Sequence, residues 1–171
     1  MSADSFVSFA YGSNMPAARL RERCPSARAI GIAELPGHEL RWHKRSLDGS
    51  GKCDFVAVDT PNASVFGVLY EIAADEKPAL DRAEGLDKGY DEGKVEVLCG
   101  SSRVTAIAYR ATDTDSSLRP YTWYRALVIA GAKEHGLPAS YIAGLESVPA
   151  DLDPDRSRHD RNMALIEGVQ A

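Results

Sequence analysis

Phe6-Val7-Ser8-Phe9-Ala10-Tyr11-Gly12-Ser13-Asn14-Met15-Pro16 changes its backbone habit part-way along. Phe6 to Tyr11 mix aromatic and β-branched residues and stop at a glycine, which is the mark of a strand. Pro16 stands where the first turn of a helix accepts proline. Ser13 or Asn14 precedes it as the expected N-cap, and Ala17 to Arg23 favour helix until Pro25. Outward from this stretch, Ala27 to Glu34 and His38 to His43 read as strands joined by the Leu35-Pro36-Gly37 turn, followed by a polar loop from Ser46 to Lys52. Phe55 to Asp59 and Ser64 to Ile72 read as a strand pair across Thr60-Pro61-Asn62. A helix is expected from near Asp75 to Glu84, with Pro78 in its first turn and Gly85 at the left-handed position that ends it.

Val95 to Leu98 and Val104 to Tyr109 alternate as an antiparallel pair around Gly100-Ser101-Ser102. Pro120 opens a helix on which Tyr124, Leu127, Val128, Gly131 and Ala132 recur at three and four residues, and Gly136 with Pro138 stops it. Pro138 to Leu145 form a further short helix. The Asp- and Arg-rich tail from Pro149 either carries a last helix around Arg161 to Glu167 or remains mobile. Strands outnumber helices and come mostly as neighbours in sequence. The expected class is therefore α+β: a mixed, mainly antiparallel, barrel-like sheet with helices packed outside it. Residues 1–171 are expected to form a single domain, with 149–171 as its tail.

Composition narrows the function. Net charge is -5, with 44% hydrophobic and 26% charged residues, the balance of an ordinary folded domain. The one basic cluster, Arg41-Trp42-His43-Lys44-Arg45, is followed at once by Asp48, so no nucleic-acid partner is expected. No apolar run approaches the roughly 20 residues that span a bilayer, and no basic region leads into an apolar stretch at the N-terminus. No membrane partner and no signal peptide are expected. Cys24, Cys53 and Cys99 are odd in number and widely spaced, and none of His38, His43, His135 or His159 stands at ligand spacing to them. That reads as free thiols in a cytoplasmic protein with no metal site. Gly49-Ser50-Gly51-Lys52 is not a P-loop: Ser46 stands where its first glycine belongs and Cys53 where its Ser or Thr belongs.

A glycine turn between strand and helix offers unpaired N–H groups with partial positive charge, suited to a carboxylate or a developing oxyanion. Gly12 lets the backbone approach a ligand closely, and Ser13 and Asn14 either bond that ligand or cap the helix. Phe9-Ala10-Tyr11-Gly12-Ser13-Asn14-Met15 resembles the signature of the γ-glutamyl cyclotransferase family, whose first strand ends in Tyr-Gly-Ser-Asn. Leu80-Asp81-Arg82-Ala83-Glu84-Gly85 resembles that family's Leu-Asp-x-x-Glu-Gly element. Gly131-Ala132-Lys133-Glu134-His135-Gly136-Leu137-Pro138 is similar to its Gly-Ala-Lys-Glu-Asn-Gly-Leu-Pro segment. The resemblance runs from about residue 6 to about residue 148. An aromatic often follows the family's glutamate by seven positions. Tyr90 follows Glu84 here by six, and the loop from Lys44 to Lys52 is richer in charge.

The resemblance implies a cofactor-free enzyme, possessing a homodimeric assembly and acting on a small γ-glutamyl substrate. The substrate's α-amino group attacks its own γ-carbonyl, releasing 5-oxoproline. Glu84 would carry the proton, Tyr11, Gly12, Ser13 and Asn14 would hold the γ-glutamyl portion, and Tyr90 would line the site. Tyr124 would be either a hydroxyl donor in the pocket or a core aromatic of its helix. γ-Glutamyl-amino acids are the first expectation. γ-Glutamyl-amines or glutathione are alternatives, as is a non-catalytic domain that binds a small metabolite. At a helix C-terminus, with Leu80 and Leu86 against it, Glu84 is expected to hold its proton above the ordinary value of about 4.3. The contrary reading is a solvated carboxylate paired with Arg82 or Lys88. Arg41, Lys44, Lys52 and Arg125 are candidate partners for a substrate carboxylate.

Overall fold

β1 (Ser5–Ala10) is buried on both faces from Val7 to Ala10, which is why its apolar run does not alternate. The computed structural model describes residues 4–85 and 89–170; Leu86 and Lys88 lie outside the described residues. Six further strands follow: β2 (Arg28–Pro36), β3 (His38–Arg45), β4 (Gly51–Ala57), β5 (Ser64–Ala73), β6 (Tyr90–Cys99) and β7 (Ser102–Ala111). Five of the seven strands close into a barrel in the order β1-β5-β2-β6-β7. All its pairings are antiparallel except the closure, where β1 and β7 run parallel with Ser8 opposite Ile107. β3 and β4 form a separate ribbon.

A bulge helps the sheet curve. Ala29 and Gly31 face consecutive residues of β5, Tyr70 and Leu69, so Ile30 is squeezed out of the ladder and left 44% exposed. The helices are α1 (Ala17–Arg23), α2 (Lys77–Glu84), α3 (Thr122–His135), α4 (Ala139–Glu146) and α5 (Arg156–Gln170). α2 is entered through a 3-10 turn at Ala74–Glu76 and ends on Gly85 at φ 69°. Gly136, at φ 74°, ends α3 in the same left-handed way, with Leu137 N–H donating to the Ala132 carbonyl at 2.9 Å.

The expected class holds, and so does the β6–β7 hairpin. The tail carries a helix longer than the expected Arg161 to Glu167. The pairing of Phe55–Asp59 with Ser64–Ile72 is corrected. β4 pairs with β3, whereas β5 lies between β1 and β2 in the barrel. The turn at Thr60-Pro61-Asn62 is real, with Asn62 at φ 60° and Ala63 N–H bonded to the Thr60 carbonyl, but it joins two different sheets.

Candidate active site

The loop leaving β1 is held from behind at several points. Met15 N–H donates to the Gly12 carbonyl at 3.2 Å, closing the turn. The Met15 carbonyl accepts the Tyr70 hydroxyl at 2.6 Å, and His135 Nε2 lies 3.0 Å from the same oxygen. Gly131 of α3 presses directly on the loop. A Cβ built there would lie 2.5 Å from Met15 Cβ and 2.7 Å from Pro16 Cδ. The Gly131–Pro138 segment therefore supports the Tyr11–Asn14 loop physically. Gly12 faces inward, where an added Cβ would meet Cys53 and the Tyr124 hydroxyl at 3.2 and 3.3 Å.

The expected N-cap is corrected. Pro16 occupies the position before α1 with no side-chain cap, and Ala17 N–H donates to Glu134 Oε2 at 3.3 Å instead. Asn14, only 7% exposed, turns away from the helix. Its Nδ2 donates to Glu84 Oε1, and its Oδ1 accepts Arg23 at 2.5 Å. The two elements that chemistry requires together, the glycine loop and the carboxylate, thus meet through one amide. Among the described residues, the N–H groups of Gly12 and Ser13 donate to no protein acceptor, which leaves both available to a ligand.

Tyr11, Gly12, Ser13, Asn14, Glu84, Tyr90 and Tyr124 all line one cavity. Glu84 is the last residue of α2 and is half-buried in the cavity lining. Burial of its carboxylate raises its pKa, and the nearby cations Arg23, Arg19 and Lys44 offset only part of the rise. Among the described residues Glu84 is not paired with Arg82, and Lys88, the other partner of the contrary reading, lies outside them. The Glu84 carboxylate accepts the Asn14 amide, and Arg82 is not among the charges that bear on it.

The tyrosines form walls. The Tyr90 hydroxyl donates to the Cys53 carbonyl at 2.7 Å, and the Tyr124 hydroxyl accepts Cys53 N–H at 3.0 Å. Tyr11 donates to the Tyr109 carbonyl, and Tyr109 donates to Asp81 Oδ1 at 2.6 Å, tying α2 to the barrel. Burial holds the phenols of Tyr11, Tyr90, Tyr109 and Tyr124 above their ordinary range, so they stay protonated. Burial also pushes the Cys53 thiol up to about 12, which excludes it as a thiolate nucleophile near neutral pH. Among the described residues, no three His, Cys, Asp or Glu side chains are placed to share a metal ion.

These contacts carry a stability prediction. Tyr124→Phe strands the buried Cys53 N–H, at a cost of about 1–3 kcal/mol. At roughly 2–4 °C per kcal/mol for a chain of this size, Tm should fall by about 5 °C. Differential scanning calorimetry checks it. A wild-type Tm in Tyr124→Phe would show that the hydroxyl does not hold β4.

The fold and the cavity now stand beside known proteins. Gamma-glutamylcyclotransferase of Bos taurus is 31% identical to this chain over 151 residues, covering 85% of this chain and 79% of its own. The chain belongs to the gamma-glutamylcyclotransferase family. The Homo sapiens gamma-glutamylcyclotransferase is 30% identical over 151 residues with the same coverage. A solved structure titled gamma-glutamyl cyclotransferase superposes with a TM-score of 0.84 at 26% identity, over 96% of this chain and 99% of that one. The AIG2-like family matches residues 64–145.

In this member of the gamma-glutamylcyclotransferase family, most of the cations singled out in the sequence are committed elsewhere. Arg41 pairs with Glu39, and Arg125 donates to the Val148 carbonyl. Lys52 pairs with Asp48 at 3.0 Å and lies over the rings of Trp123 and Tyr124. Lys44 lies over the Tyr90 ring, 4.8 Å from its centre, where its charge is felt by Glu84. Sequence reasoning missed Cys53, Tyr109, Arg19 and Arg23. The four-residue spacing of the two arginines, which puts both on one face of α1, was the available signal.

Proposed function

We propose that this protein is a gamma-glutamylcyclotransferase that converts γ-glutamyl compounds, γ-glutamyl-amino acids first among them, into 5-oxoproline and a free amine. The observation that carries this reading is the Asn14–Glu84 hydrogen bond, which sets a proton-retaining carboxylate against the glycine loop in one cavity. The Glu84 carboxylate takes a proton from the substrate's α-ammonium group. The freed amine attacks the γ-carbonyl carbon, forming the ring C–N bond, and the oxyanion is received by the N–H groups of Gly12 and Ser13. The old amide C–N bond then breaks as Glu84 returns the proton to the departing nitrogen, and the second proton shed by the ring nitrogen ends on the released amine, which leaves as an ammonium. A carboxyl whose pKa lies above the ordinary range suits both transfers, because it accepts and releases a proton with less penalty near neutral pH. Both reacting groups belong to one molecule, so holding it folded supplies much of the acceleration and no cofactor enters.

Arg19, Arg23 and Lys44 give the neighbourhood of Glu84 a positive field. That field favours substrates whose leaving amine bears a carboxylate, as γ-glutamyl-amino acids do and γ-glutamyl-amines do not. A panel of γ-glutamyl dipeptides, γ-glutamyl-amines and glutathione, assayed for 5-oxoproline by liquid chromatography, tests the reading. Dipeptides should show the highest kcat/KM. Turnover of no member would replace the reading with a metabolite-binding domain. Three unpaired thiols support a cytoplasmic setting. The homodimer expected of the family would be refuted by light scattering that returns a mass near 18.5 kDa.

A further inference from the structure

We propose that Arg23 is a positioning residue that fixes the direction of the Asn14 amide and, through it, the placement of the Glu84 carboxylate. The proposal rests on Glu84 acting as the proton carrier. An asparagine side chain has one accepting end and one donating end. Here the accepting Oδ1 faces Arg23 at 2.5 Å and the donating Nδ2 faces Glu84. Rotating the amide by half a turn would set Oδ1 against the carboxylate and the NH2 group against the guanidinium, both repulsive. Arg23 therefore makes one orientation of Asn14 the only satisfied one, and that orientation points a donor at the proton carrier.

The arginine is itself well placed for this. It closes the last turn of α1, where the helix dipole favours a cation. Arg19 is committed differently: it donates to Asn162 of α5 at 3.1 Å and so fastens α1 to the last helix. Arg23 alone of the pair touches Asn14. The groups that share a field with Glu84 are Arg19 and Arg23 from α1, Lys44 from β3, the thiols of Cys24 and Cys53, and the phenols of Tyr11, Tyr90, Tyr109 and Tyr124. Of the three cations, Arg23 offsets the burial of Glu84 most.

The test compares Arg23→Met and Arg23→Lys with wild type, using kcat/KM against pH for a γ-glutamyl dipeptide. Removing the cation leaves the Glu84 carboxylate less stabilised, so its pKa rises and the acid limb of the profile moves to higher pH. A shift of about one pH unit is expected for the methionine variant. Its plateau kcat should fall about tenfold as the amide loses its fixed direction. Lysine should return the acid limb to the wild-type position. A methionine variant that melts lower but keeps the wild-type acid limb and plateau overturns the proposal, since a purely structural arginine would do that. If Arg23→Met does not fold, Arg23→Gln takes its place with the same shift expected.

A readout without turnover separates this proposal from the function it rests on. In protein labelled with 13C at glutamate carboxyls, the Glu84 resonance is identified by its loss in Glu84→Gln. Its titration midpoint should rise in Arg23→Met and return in Arg23→Lys. That movement would sustain the positioning role even if no γ-glutamyl compound were turned over. A midpoint that does not move would refute it even in an active enzyme.

Discussion

Glu84→Gln should lower kcat for 5-oxoproline release by about a thousandfold, within the range of roughly 10²–10⁴ that general acid–base groups contribute. KM should change little, because glutamine keeps the oxygen that accepts the Asn14 amide and nearly the same shape. The stability of the same variant gives an independent check. The folded-state pKa of Glu84 is raised, so the folded protein binds this proton more tightly than the unfolded chain does. Ionising the group at neutral pH therefore costs stability, and the favourable contribution of its protonated form appears only as pH falls through the raised value. Glutamine removes that cost. Glu84→Gln should melt at or slightly above the wild-type temperature at pH 7 while being nearly inactive. Turnover equal to wild type, followed by chromatography of 5-oxoproline, would sink the assigned role.

Gly131→Ala should do the opposite to stability, and for a reason found in no local property of the helix. By helix propensity alone, alanine in the middle of α3 would stabilise by about 1 kcal/mol. The structure leaves no room for it, since the new Cβ would lie 2.5 Å from Met15 Cβ and 2.8 Å from Pro16 N. Backbone cannot yield as a flexible side chain can, so α3 or the loop must move. Overpacking of this kind costs about 1–3 kcal/mol, which outweighs the propensity gain at its upper end. A net loss of up to about 2 kcal/mol corresponds to a Tm lower by up to roughly 8 °C. Activity should fall further than stability. The loop that moves carries the Gly12 and Ser13 amides, and a displacement near 1 Å at a reacting centre can cost about a hundredfold. Calorimetry and the 5-oxoproline assay read the two effects separately. A Gly131→Ala protein that is both more stable and fully active would show that the loop is not braced by α3.

Local interactions leave a trace in the sequence that long-range ones do not. The β6–β7 hairpin was legible because its partners adjoin and its turn is local. The partners of β5 were not. One of them, β1, lies more than fifty residues earlier, and an apolar strand following another across a tight turn looks like half of a hairpin. Asn14 shows the same limit at the scale of one side chain. The nearest visible partner for an asparagine before a helix is that helix's own N–H groups, yet its bonds go to Arg23 and Glu84. Tyr11 to Asn14, Glu84, Tyr90 and Tyr124 could be named in advance because family likeness carried them. Arg23 could not, because a charged residue on a short helix ordinarily faces water.

The tyrosine walls have a consequence for how the cavity responds to acidity. The hydroxyls of Tyr90 and Tyr124 are occupied by the backbone of one residue, Cys53, and burial keeps every phenol and the thiol in the lining fully protonated across the neutral range. Glu84 is the one carboxyl among these lining groups, and burial raises its pKa. The cavity behaves as a one-proton device: a rigid, titration-silent container around a single mobile charge, whose setting is left to the cations outside the wall.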